Sequence, residues 1–128
     1  MAEKLGMTKL LLGVAIVLHI VWFLIFYLAP VKILEALALP ETQGLFLRLF
    51  GIFPLSWAVL IFFALKDVVK NVAIIDSGVI SAALLIIAFL VYHFAVQGVK
   101  SWFFWLSIVV LFVLYLLIFA FRPKSKAA

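Results

Sequence analysis

Four runs of apolar residues, each close to the ~20 that a helix needs to cross a bilayer core, govern what this chain can fold into. They cover 8–29, 44–65, 74–96 and 101–121. Backbone N–H and C=O groups find no water inside lipid, so each run must be helical, whatever its β-branched and aromatic residues favour in water. Composition agrees. Hydrophobic residues make up 70% of the 128 and charged residues 12%, where soluble domains have about half and a quarter. The expected fold is all-α, a polytopic integral membrane protein whose residues 1–128 form a single antiparallel four-helix bundle. Four spans leave little of this chain for a soluble catalytic domain.

The opening MAEKLGMTKLLLGVAIVL is basic and then apolar, as a secretory signal is. Its apolar run continues through His19 to Ala29, past the ~7–15 residues of a signal core, and so reads as a first span. Pro30 stops that helix. The following VKILEALALPETQ sets Lys32 and Glu35 one turn apart among Leu and Ile, the pattern of a short helix lying at the interface. The connections KDVVKNVAIID and QGVKS are short, which makes neighbouring spans antiparallel.

Lys4, Lys9, Lys66, Lys70, Arg122, Lys124 and Lys126 then gather at one end of the bundle. Lys32 and Lys100 lie at the other, with Arg48 just inside the second span. The positive-inside rule places both termini in the cytoplasm of a cell-membrane protein. Trp22, Tyr27, Trp102 and Trp105 fall toward the outer ends, as an aromatic belt does. The net charge of +5 is thus spent on topology, not on a nucleic-acid face.

With no cysteine, disulfides, thiolate metal sites and a cysteine nucleophile are excluded. There is no glycine-rich phosphate loop, no ligand pair at i, i+4 and no paired carboxylates, so neither a metal site nor a catalytic residue is expected. Ionisable residues inside the spans are the candidates for function. In upright helices Arg48 lies roughly 10 Å and His93 about 12 Å outward of the midplane, Ser107 about 6 Å outward, and His19 and Ser56 close to it. Arg48 and His93 therefore share a level with Tyr92, Gln97 and Glu41. Together they are expected to form a small outer-leaflet pocket for an anionic headgroup or the polar end of a ligand. The plainer alternatives are that Arg48 reaches back to lipid phosphate and that His93 is an interfacial residue.

His19 needs a partner at its depth. Ser56 or a backbone carbonyl would serve, while haem or proton chemistry is the sharper alternative. Bis-histidine haem is disfavoured, because His19 and His93 differ by roughly 12 Å along the normal. In the third span Ser77, Gly78, Ser81 and Ala82 repeat small residues at intervals of four, a face for close packing within the bundle or against a second copy. Asp76 would cap that helix or pair with Lys66 or Lys70. Pro54 is expected to kink the second span just below Arg48.

The stretch LRLFGIFPLSWAVLIFFALKD, with the charged turn that ends it, resembles the small four-helix DoxX-like membrane proteins. Those proteins often place an arginine and a glycine near the start of a span, as Arg48 and Gly51 stand here. The resemblance is confined to this stretch and implies a bundle architecture and an accessory role. The acidic residue that several such families carry in the same helix is missing here, so it implies no quinone-linked role. The expected function is a small non-enzymatic protein that binds a lipid-like or polar-headed apolar ligand among membrane lipids, or an accessory subunit of a larger membrane complex. The alternatives are a homo-oligomeric transporter or channel and, further off, a haem- or quinone-linked redox subunit.

Overall fold

The computed structural model describes residues 2–39 and 44–123. Helix α1 runs Ala2–Phe23 and continues as one π-helical turn, Leu24–Leu28. A short α2 covers Val31–Ala36, α3 covers Gly44–Phe50 and α4 covers Ile52–Lys66. Helix α5, Val72–Val91, is again prolonged by a π-helical turn, Tyr92–Val96, and α6 covers Trp102–Phe121. Four helices are long and apolar enough to cross a membrane: Glu3–Leu28, Leu45–Lys66, Val72–Val96 and Trp102–Phe121, numbered here as spans 1 to 4. The first and third begin earlier than their apolar runs, since a helix does not stop where the hydrocarbon does. Span 1, with 26 residues, is about 39 Å long.

Span 1 packs most extensively on α4 and also on α6, while α5 packs on α6 and less closely on α4. The spans thus form an all-α, up-down-up-down ring. Its centre holds buried Leu12, Ala15, Ile61, Ala64, Leu114 and Ile118. Without a hydrophobic drive between helices already in lipid, close van der Waals packing holds such a bundle, and small residues permit it. Gly78 and Ala82 serve this purpose inside the ring. Both are buried, and a Cβ on Gly78 would lie 3.4 Å from Tyr115 Cε1 and 3.7 Å from Trp57 Cζ3. The rest of the expected small-residue face is split: Ser77 is exposed and Ser81 half-buried.

The first and last described residues lie at one end, called here the terminal end. There the buried Thr8 hydroxyl sits 2.8 Å from the Lys4 carbonyl and 2.6 Å from that of Phe121, joining the start of span 1 to the end of span 4. Asp76 does not pair with Lys66 or Lys70. It meets Arg122 at 2.6 Å, and the Arg122 guanidinium also lies 4.4 Å from the Phe119 ring. Lys66 instead covers Phe62 and Phe63, at 5.3 and 4.9 Å.

At the opposite, loop end, the expected interfacial helix is α2. The Ser101 hydroxyl donates to the Leu37 carbonyl at 2.8 Å and the Trp102 indole to that of Ala36 at 3.1 Å, which fastens α2 to the start of α6. Ala38 takes the left-handed conformation (φ 57°) that closes α2, with Leu39 N–H bonded to the Leu34 carbonyl at 2.9 Å.

Span 2 is interrupted three residues before Pro54, at Gly51. Proline offers no N–H to the Phe50 carbonyl and its ring crowds that oxygen, so the ladder breaks there. Gly51 N–H turns to the carbonyls of Leu47 and Arg48, each at 3.1 Å. A Cβ at Gly51 would fall 2.8 Å from Phe26 Cβ and 3.2 Å from Tyr27 N. Glycine is what lets α3 rest against the end of span 1.

Candidate ligand-binding cavity

Arg48 answers to span 1. Pro30 ends that helix and leaves its last carbonyls without N–H partners. Arg48 donates from Nη1 to the Tyr27 carbonyl at 2.7 Å and from Nη2 to that of Ala29 at 2.8 Å. A cation near the C-terminal end of a helix also meets the negative end of its dipole. The arginine is thus a bracket between spans 1 and 2, and neither it nor His93 is in the wall of the two cavities described below.

His93 is occupied elsewhere. Its Nδ1 accepts from Val99 N–H at 2.8 Å, and its ring meets Trp105 edge-on at 4.8 Å. It shapes the turn between spans 3 and 4. Tyr92 and Gln97 do face a cavity, with the tyrosine hydroxyl 3.4 Å from Gln97 Oε1. Glu41, the fifth residue expected in the pocket, lies outside the described residues.

His19 is buried and fully engaged. Its Nδ1 donates to the Ala15 carbonyl at 2.6 Å. Nε2, 3.2 Å from the Tyr115 hydroxyl, therefore accepts from it. Ser56 is not its partner: that serine bonds its own helix, at the Ile52 carbonyl, on an exposed face. His19 Nε2 could take a metal only in place of the Tyr115 hydroxyl. Among the described residues no cluster of three or more His, Asp or Glu side chains could hold a metal ion.

Two cavities occupy the loop-end half of the bundle. The deeper, about 400 Å³, lies between all four spans. It is walled by Trp22, Phe26, Phe53, Trp57 and Phe89 and carries few polar groups: His19, Ser81 and Ser107. Trp22 is not part of an aromatic belt. It is buried, and its indole donates to Ser107 Oγ at 3.0 Å. The shallower cavity, about 690 Å³, opens at the loop end among Phe46, Leu47, Tyr92, Gln97, Lys100 and Ser101. Phe50 and Phe104 line both. The two spaces are neighbours across a wall of two aromatic rings.

The cleft exists because α3 leans on the end of span 1. Gly51 and Pro54 tilt it that way and Arg48 fixes it there, which carries α3 away from the outer part of span 3. Trp22, Trp57, Tyr115, Lys100 and Ser101 escaped the sequence reading of the site. Tyr115 had a usable signal, since it is one of few hydrogen-bonding side chains in the fourth apolar run. Trp22 and Trp57 had none, because aromatic residues stand on every face of these helices, and Lys100 and Ser101 read only as parts of a short turn.

Fold and site together define a helical bundle of the multi-pass membrane class, with ligand-sized spaces between its spans at one end. Comparison with protein-family models, with curated proteins and with solved structures returned no match.

Proposed function

We propose that this chain is a small, non-enzymatic protein of the cell membrane that binds a polar-headed apolar molecule, its tail between the spans and its head at the loop end. The observation that carries the reading is the pair of adjoining cavities, one deep and almost wholly apolar, the other at the loop end with Tyr92, Gln97, Lys100 and Ser101 in its wall, sharing Phe50 and Phe104. Their volumes, about 400 and 690 Å³, lie within the ~300–1,000 Å³ of small-molecule sites. A headgroup remains near water, and a chain replaces lipid contact with contact to aromatic walls. The positive-inside count puts the loop end on the outer side, so the ligand belongs to the outer leaflet. In this reading Tyr92 and Gln97 stay at the headgroup, and Arg48 keeps the cleft open.

The DoxX-like resemblance favours a second use of the same bundle, as an accessory subunit of a larger complex, and one experiment reads both. Native mass spectrometry of protein gently extracted from its own membrane is expected to show the chain with a discrete added mass. Leu85→Trp, which places an indole at the cavity rim, is expected to remove that mass. Leu85 is 44% exposed, so the larger ring can settle without unfolding the bundle. A wild-type chain without added mass would end the ligand reading, and a stable hetero-complex would favour the accessory one.

A further inference from the structure

Resting on that reading, we infer that the ligand is a single-chain amphiphile with an anionic headgroup, held at the loop-end cavity by Lys100 and the polar groups around it.

Charge comes first. Among the described residues the loop end carries the cations Lys32, Arg48 and Lys100 and the carboxylate Glu35; Glu41 of the same connection lies outside them. Lys100 is the charged residue that lines the shallow cavity itself. Arg48 binds the carbonyl oxygens of Tyr27 and Ala29. Its neighbour Leu47 is part of the cavity wall. A neutral or cationic head gains nothing from this field, whereas a carboxylate or phosphate does.

Hydrogen-bonding capacity points the same way. Tyr92 and Gln97 reach each other only at 3.4 Å, a loose contact that an anion can replace with two shorter, charge-assisted bonds. Ser101 caps α6, so the positive end of a 20-residue helix lies at the cavity.

Size sets the chain number. The deep cavity holds about 400 Å³, at the small end of the ~300–1,000 Å³ range for ligand sites. A space of that size takes one acyl chain more readily than two, which points to a fatty acid or a monoacyl phospholipid rather than a diacyl lipid.

The test uses bromine-labelled chains, which quench the fluorescence of Trp22 and Trp57 when they enter the deep cavity. Purified full-length protein in neutral detergent is titrated with a brominated fatty acid at alkaline pH, with an anionic brominated monoacyl phospholipid, and with the matching brominated alcohol. The wild type is expected to bind at least one of the anions about tenfold more tightly than the alcohol, the value of one charge-assisted contact. Which anion binds better names the source of the head. Lys100→Gln is expected to remove the preference while the alcohol still binds. Equal affinity for anion and alcohol in the wild type, or a preference that survives Lys100→Gln, overturns this inference. Leu85→Trp is expected to weaken all three probes, and if it weakens none, the cavity reading itself fails.

Discussion

Arg48 and Tyr115 each make hydrogen bonds within the bundle, yet losing them should cost very different amounts. Tyr115→Phe removes one donor from His19 Nε2 and keeps the ring that packs against Gly78. Single interhelical bonds of this kind average about 0.6 kcal/mol in membrane proteins, so a loss of that order is expected. Arg48→Leu strands two carbonyl oxygens, those of Tyr27 and Ala29, near the edge of the hydrocarbon. Charge-assisted bonds are worth about 1.5–3 kcal/mol each, and carbonyls left without partners in lipid add to the loss. Unfolding of both variants in mixed micelles is expected to rank Arg48→Leu as clearly the less stable. Equal losses would mean that water or lipid satisfies those carbonyls as well as the guanidinium does. The sequence showed that Arg48 was unusual but not what it served. That depends on how span 1 ends, in a π-helical turn before Pro30, which no residue spacing announces.

Among the elements, the interruption of span 2 decides the shape of the cleft. Pro54 marked a kink in the sequence, and the structure has one. The break falls at Gly51, one turn earlier, because the missing N–H and the crowded carbonyl belong to opposite ends of the same helical turn. Gly51→Ala is therefore a test of the whole arrangement. Its Cβ would lie 2.8 Å from Phe26 Cβ, a backbone-level clash that no rotamer relieves. Overpacking of this kind costs about 1–3 kcal/mol, and here it must also push α3 off span 1. The expected result is a lower melting temperature together with loss of the native added mass. A variant as stable and as loaded as the wild type would show that α3 does not need this contact. The four spans and the short α2 were legible because length, apolarity and Pro30 fix them without reference to neighbours. Which faces turn inward was not. Phe and Leu surround every helix, so buried Trp22 looked like an interfacial tryptophan and the cavity walls could not be told from the lipid-facing surface.

For the molecule as a whole, the direction in which the bundle crosses the membrane decides which leaflet would supply the proposed ligand. Lys4, Lys9, Lys66, Lys70 and Arg122 stand at the terminal end and Lys32, Arg48 and Lys100 at the loop end. Each basic residue near an anionic cytoplasmic leaflet is worth about 1 kcal/mol. Arg48 counts for less, since it is bound to span 1 just inside the membrane. The imbalance favours a terminal end in the cytoplasm and a cavity mouth on the far side. The chain contains no cysteine, so a single introduced thiol reports its side without background. Lys32→Cys, on exposed α2, is expected to react with a membrane-impermeant maleimide in intact cells. Lys70→Cys, in the turn between spans 2 and 3, is expected to react only after the cells are opened. The reverse pattern would leave the fold and both cavities as described but turn the shallow cavity toward the cytoplasm. The basic loop end would then face the leaflet richest in anionic lipid, and the anionic amphiphile would be drawn from inside the cell.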